Sequence, residues 1–432
     1  MRAGKRRAPV RLDSNRVTLS EMEMTMKLTT SMYCVGTLLV GLSSAASADV
    51  ITEWNEKAVA AGYTARQGPP VHGRIVAMVH LAMFEALNSI EPRYRPYRAR
   101  LPAEPGASRD AAAAAAAHYL LVRVYPDQAK ELDKALQASL AAVTDETSKA
   151  KGLRLGGQAG AAILAERSKD GVGAPDTYRP FTAPGQYVPT VLPAASSWGA
   201  VRPFALKSGN QFRPAAPYAL TSPEWTKDYN EVKRMGAKAG SARSAEQTEI
   251  ARFWELTGAA TYNPLVRQLS AAKGLDVIEN ARLFALVAMA TADAYIAIFD
   301  AKYTYNFWRP VTAIRNGDMH GNSAIERDPA WEPIIPTPMH PEYPCAHCIT
   351  QCAAATVLET FFGDAIPAVK LTSTTAPGVT RSFVKLSDYV AEVINARIYD
   401  GVHYRMSGEV GAEMGRKIGE YTVQNHLLPV RK

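Results

Sequence analysis

Along most of this chain, apolar residues recur at the three-and-four spacing of helices buried on one side. The first such stretches are 51–61 and 71–90. In the second, Ile75, Met78, Val79, Leu81, Met83, Phe84 and Leu87 are nearly continuous, which predicts a buried helix ended at Glu91-Pro92. Residues 111–124 are alanine-rich and strongly helix-favouring. Stretches 127–142 and 149–167 complete a group joined by short connections, the organisation of a helical bundle. The pattern breaks over 171–223, which is rich in proline and glycine and carries Tyr178, Phe181, Tyr187, Trp198 and Phe204. So many aromatics argue against a disordered linker, and so long an irregular stretch is a candidate rim for a functional site. Helices are predicted again at 223–235, 245–256 and 264–272. The longest and most apolar spans 276–300. A helix over 345–362 opens behind Pro344, where proline suits the start of a first turn. Helices at 382–399 and 408–427 close the chain. Alternating strand patterns are absent, so the expected fold class is all-α, built of helical bundles.

Composition narrows the class. With 47% apolar and 21% charged residues the chain reads as a globular body. No uninterrupted apolar run approaches the roughly 18 residues of a membrane helix; the longest candidate, 283–299, is interrupted by Thr291 and Asp293. No integral membrane segment is expected in the mature chain. The first 48 residues read as a signal peptide: a basic start, an apolar core over 32–42, and Ala46-Ser47-Ala48 at a cleavage position. Met24 or Met26 is an alternative start. Export to the periplasm or the medium follows as an expectation. Removing the leader takes away seven positive and three negative charges, so the formal charge falls from +8 to +4. That balance is too mild for a nucleic-acid partner. The remainder divides into an N-terminal helical region with the irregular stretch (49–222) and a C-terminal helical region carrying the chemistry (223–432).

Of four cysteines, Cys34 leaves with the leader and Cys345, Cys348 and Cys352 sit together. No spaced framework exists, so disulfides are not expected to hold this fold. Cys345 and Cys348 form a Cys-x-x-Cys at a helix start, where a thiol can be acidic; a thiol-disulfide redox protein is therefore an alternative function, although the strand–helix–strand surroundings of that motif are missing. Cys348 and Cys352, one turn apart, read as packing. Asp293 and Asp300 share a helix face and are expected to bond to Lys302 or arginines in a site wall rather than to a metal.

Three short runs concentrate the chemistry: 302–310 with Lys302, Arg309 and Pro310; 341–348 with Pro344, Cys345, Ala346 and His347; and 397–405 with Arg397 and His403. Arginine grips two oxygens with a planar fork, and lysine supplies a compact charge. A helix first turn near Cys345 adds free N–H groups and partial positive charge. Together they suit a tetrahedral oxyanion, with His347 placed beside it.

These runs, Lys-x6-Arg-Pro, then Pro-x-x-His, then Arg-x5-His, resemble the signature shared by vanadium-dependent haloperoxidases and type 2 phosphatidic-acid phosphatases, including soluble acid phosphatases. The wording Phe307-Trp308-Arg309-Pro310 is more similar to the haloperoxidase branch. The resemblance implies a helical-bundle fold and a site for vanadate, or for phosphate in the same place. It implies that His403 binds vanadium through its imidazole, or attacks phosphorus in a phosphatase. His347 would act as general acid or base. Lys302, Arg309 and Arg397, with Cys345 and Ala346, would surround the oxyanion, and Lys302 would polarise bound peroxide. The implied function is peroxide-dependent halide oxidation; the alternative is a phosphomonoesterase acting on phosphate esters. Three positions depart from the pattern. Cys345 stands for a serine and is a poorer donor. Ala346 stands for a glycine and brings a methyl group toward the anion. Ser407 occupies a position where phosphatases often carry an aspartate that orients the second histidine; Asp400 is a candidate substitute.

Overall fold

The computed structural model describes residues 49–98 and 101–430; the expected leader, 1–48, lies outside them. The described residues form one compact unit. Five helices come first: α1 (Val50–Thr64), α2 (Pro69–Ile90), α3 (Arg109–Val124), α4 (Ala129–Ala141) and α5 (Glu146–Arg167). After the irregular stretch come α6 (Pro223–Met235), α7 (Ala245–Phe253), α8 (Ala259–Lys273), α9 (Val277–Tyr305) and α10 (Pro310–Arg315). The chain ends with α11 (Ala346–Phe362), a hairpin of β1 (Ala365–Ser373) and β2 (Ala376–Lys385), α12 (Leu386–Tyr399) and α13 (Arg405–Asn425). The fold is thus the all-helical class expected, with one small hairpin added.

Helix α9 is the axis of the core. Asp276 caps it, accepting from the N–H groups of Ile278 and Glu279, and Glu279 completes a capping box. Residues 283–299 are buried on every face, as expected of a helix that is apolar all round. By length and composition this helix is able to cross a membrane, but 94% of its most apolar window is buried within the fold. Helices α2, α11 and α13 pack against it. It ends at Asn306, which adopts a left-handed conformation with φ 48°. Asparagine tolerates that region better than most residues.

Inside this apolar helix sits Asp293. Its carboxylate accepts from the backbone N–H groups of Phe204, Ala205 and Leu206 at 2.6, 2.7 and 2.8 Å. Asp300 instead holds Arg213 through two 2.8 Å contacts. The two aspartates therefore pin the irregular stretch to the core; neither bonds to Lys302. The same stretch is laid over the end of α9. Tyr178 donates its hydroxyl to Asn306 Oδ1 at 2.8 Å, and Tyr187 N–H donates to the Asn306 carbonyl at 2.7 Å.

Helices α11 and α13 approach closely because α13 presents glycines. A Cβ on Gly411 would stand 2.7 Å from the Cys345 carbonyl oxygen, and one on Gly415 2.3 Å from that of Ile349. The start of α11 is thereby held against α13, and the Cys345 N–H donates to the Ser407 carbonyl at 3.0 Å.

The hairpin corrects the sequence reading over 365–385, where no strand was expected and a helix was placed from 382. Ile366, Val369, Leu371 and Ser373 are buried along β1. A register irregularity between Ala365 and Val369 breaks the period-two signal, and the connection, Thr374-Thr375, lacks a typical hairpin turn pair. Helix α8 also begins earlier than expected, at Ala259, and α13 begins at Arg405 rather than 408.

Candidate active site

The site is assembled from segments far apart along the chain. The last turn of α9 supplies Lys302, the link to α10 supplies Arg309, and the segment before α11 supplies His340, Glu342 and Cys345. His347 lies in the first turn of α11. Arg397 lies in the last turn of α12, and His403 in the link to α13. Lys302, Arg309, Cys345, Arg397 and His403 are buried to within 1% of full burial, and His347 is 9% exposed.

His403 is held from both sides. Its Nδ1 is 2.7 Å from Glu342 Oε1, and its Nε2 is 3.2 Å from Arg309 Nη1. The tautomer follows from the partners. Glu342 Oε1 also accepts from the Tyr404 N–H at 3.1 Å, so this oxygen is an acceptor and Nδ1 carries the proton. Arg309 has only N–H groups to offer. The Nε2 lone pair therefore faces the cationic side of the site. Ser407 Oγ lies 3.4 Å from Nδ1, a weak supplement.

Glu342 thus does what was expected of Asp400. Asp400 is engaged elsewhere: its Oδ2 is 2.8 Å from Arg397 Nη1, an ion-pair contact without hydrogen-bond alignment. Arg397 Nη1 also donates to the Trp254 carbonyl at 2.8 Å. The Arg397 Nε is buried without a hydrogen-bond partner.

Arg309 is anchored by carbonyls, Nε to His340 at 3.0 Å and Nη1 to Val402 at 2.8 Å. Its Nη2 lies 3.0 Å from His340 Nδ1. His340, left as structural on sequence grounds, therefore stands directly against this arginine. Lys302 turns its ammonium to the carbonyls of Pro341 and Glu342 at 3.0 and 2.7 Å, and to that of Pro344. As arranged, it shapes the 341–344 segment and lends its charge to the site, while its protons are taken by backbone oxygens.

Cys345 is the N-cap of α11, and the Cys348 N–H donates to its Sγ at 3.3 Å. His347 Nε2 is 3.3 Å from the Leu256 carbonyl. A carbonyl only accepts, so Nε2 carries the proton and Nδ1 is the basic nitrogen. Burial, and then the charge of Arg397, hold His347 well below the ordinary histidine range. Burial and the Arg309 charge do the same to His403. Burial and Arg309 also lower Lys302 well below its usual value. Burial raises Glu342 to about 8 against the opposing charges of Lys302 and Arg309, and raises Asp400 to about 7 against Arg397.

Three basic side chains thus face two carboxyls whose ionised forms burial disfavours, beside two neutral histidines. Unneutralised positive charge in a dry site is costly, and an incoming anion relieves it. With the partnerless Arg397 Nε and the first turn of α11, the donor set fits a tetrahedral oxyanion. A cavity of about 340 Å³ reaches Arg309 and is walled by Tyr187, Val188, Thr190, Val191 and Met339. The irregular stretch therefore forms part of the rim, as expected. A larger cavity, about 910 Å³, lies along α6 and 328–332 and touches none of these site residues. Among the described residues, Glu342 and His340 are the site groups the sequence reading missed. Glu342 lies in the run 341–348 already singled out and His340 just before it, but nothing in their spacing announced partners 61 and 31 residues away.

An all-helical body with cations and imidazoles converging at a helix mouth defines the class. Residues 282–431 match the family model for the VCPO second helical-bundle domain. The chain is similar to the vanadium chloroperoxidase of Curvularia inaequalis, 27% identical over a match covering 34% of this chain and 30% of that protein's length. It is similar to the crystal structure of a bacterial vanadium-dependent iodoperoxidase, with TM-score 0.76 and 26% identity, covering 89% of this chain and 98% of that one. A holo bacterial vanadium-dependent chloroperoxidase shares the fold, with TM-score 0.64 and 17% identity, covering 83% and 93% of the two chains. These similarities support the superfamily of vanadium-dependent haloperoxidases and type 2 phosphatidic-acid phosphatases, with the family model matched over residues 282–431.

Proposed function

We propose that this protein is a vanadate-dependent haloperoxidase that oxidises a halide with hydrogen peroxide. The observation that carries the reading is the fixed tautomer of His403, whose Nε2 lone pair is aimed among Arg309 and its neighbouring cations by the Glu342 contact at 2.7 Å. When bound, vanadate supplies the Lewis-acid centre that activates peroxide toward a two-electron oxidation. His403 would hold it through Nε2. Arg309, Arg397 and the first N–H groups of α11 would hold its oxygens, and Lys302 would add charge from behind.

The remaining work falls to this chain's own groups. Neutral His347 accepts a proton at Nδ1 from incoming peroxide, since Nε2–H is tied to Leu256. Burial of the site removes competing water and strengthens each charge interaction. The rim of aromatic and aliphatic residues admits peroxide and halide beside Arg309.

The test uses purified protein in phosphate-free buffer, with iodide as the first halide. Peroxide-dependent iodide oxidation should appear on adding vanadate and vanish in His403→Ala. Hydrolysis of p-nitrophenyl phosphate without vanadate, lost in the same variant and unaccompanied by halide oxidation, would refute the peroxidase reading in favour of a phosphatase.

A further inference from the structure

Cys345 and Cys348 are drawn together more tightly than packing requires. Both are fully buried, and neither forms a disulfide. Cys348 Sγ–H points at Cys345 Sγ with the sulfurs 2.7 Å apart, and the Cys348 N–H donates to the same sulfur. The two residues occupy the N-cap and third position of a 17-residue helix, a separation compatible with the Cα spacing of roughly 4.4–6.8 Å that a disulfide needs. The surroundings are cationic: Lys302 bonds to the carbonyl of Pro344, the residue before Cys345. Cys352, one turn further on, contacts Thr356 instead and takes no part.

We propose that this pair is a redox-active dithiol that hydrogen peroxide converts to a Cys345–Cys348 disulfide within the oxyanion site. This rests on the reading that peroxide enters the site. In the first step the Cys345 thiolate attacks one peroxide oxygen. An S–O bond forms, the O–O bond breaks, and hydroxide leaves, becoming water on taking up one proton. In the second step the Cys348 sulfur attacks the Cys345 sulfenic acid, forming the S–S bond. The sulfenic oxygen leaves as water with the Cys348 proton and its own. Two thiols lose two electrons in all, and one peroxide becomes two waters.

The two sulfurs are suited to different parts. Burial raises Cys345, but the Cys348 donor and the charges of Arg397 and Lys302 outweigh it and bring the thiol below its ordinary range. Burial and the neighbouring Cys345 push Cys348 well above the ordinary thiol range. Cys345 is the attacking sulfur and Cys348 the resolving one.

The experiment treats reduced, desalted full-length protein with one equivalent of peroxide, then denatures it, alkylates free thiols and weighs the peptides. The expected result is a peptide carrying Cys345 and Cys348 that has lost two hydrogens and takes no alkyl group there, with Cys352 fully alkylated. Cys348→Ser should instead give a Cys345 sulfenic acid trapped by dimedone. Full alkylation of both cysteines in the wild-type chain after peroxide, or a disulfide to Cys352, overturns the proposal without recourse to any variant. Halide oxidation is measured on a parallel, undenatured portion of the same preparation loaded with vanadate, and its thiols are then counted in the same way. A disulfide without halide turnover supports the dithiol and counts against the peroxidase; halide turnover with both thiols intact does the reverse.

Discussion

Removing the Glu342 carboxylate should uncouple His403 from its orientation. Glu342 Oε1 accepts two buried hydrogen bonds, from His403 Nδ1 at 2.7 Å and from the Tyr404 N–H at 3.1 Å. Glu342→Ala deletes that shared acceptor and leaves two buried donors, each worth about 1–3 kcal/mol when unsatisfied. The imidazole relieves its share by moving the proton to Nε2, the nitrogen that would face the anion. Leaving the Nδ1–H unsatisfied whenever Nε2 meets the oxyanion costs about 1–3 kcal/mol, which corresponds to about 5- to 100-fold weaker oxyanion binding at 1.4 kcal/mol per decade. That range agrees with the usual effect of removing a group that orients a metal-binding histidine. Glu342→Gln is the control, because its amide oxygen can accept both bonds while the amide nitrogen takes the place of Oε2, which has no hydrogen-bond partner. Calorimetric titration with vanadate gives the affinity, and ¹⁵N chemical shifts of His403 give the tautomer. Binding by Glu342→Ala within threefold of wild type, with Nδ1 still protonated, would refute the assignment of Glu342 as the positioning residue.

Arg397→Lys keeps the charge but loses the planar fork and the free Nε; vanadate or phosphate binding should weaken about tenfold, and unchanged affinity in the same titration would reduce Arg397 to a counter-ion for Asp400. Gly415→Ala places a methyl group against the Ile349 carbonyl oxygen and should cost about 1–3 kcal/mol or more of unfolding free energy by chemical denaturation. Asp293→Asn turns an amide donor toward the backbone donors of Ala205 or Leu206 and should cost about 2–3 kcal/mol at pH 7. Burial raises the Asp293 carboxyl to about 6 despite those three N–H groups. Folding therefore favours its protonated form, a stabilising contribution that is full below about 4 and lost as pH rises through about 6. The advantage of wild type over Asp293→Asn should shrink over that interval, and denaturation curves at pH 4 and pH 7 check it.

The helices were legible because their physics is local. Periodicity, alanine content and caps act within a few residues, and α2, α6, α9 and α11 lie close to where their sequences place them. The hairpin was not legible, because β1 and β2 are stabilised by each other and by burial of Val369, Leu371 and Phe383, while the bulge hides the alternation. The charged members of the site were visible as three runs, since an oxyanion demands cations and imidazoles whatever the backbone does. Their partners were not. Asp400 is nearer to His403 in sequence, yet Glu342 makes the contact, because the segment before α11 is drawn across by Lys302.

The sequence alone determined the all-helical class, the apolar axis of α9 and the residue types able to grip an anion, all of which depend on composition and spacing along one chain segment. Only the tertiary structure decided the His403 tautomer, the inward turn of Lys302, the place of His340 and the contact between two thiols. Each of these depends on which groups from distant segments share one dry volume, where a hydrogen bond must be met by whatever partner the fold supplies.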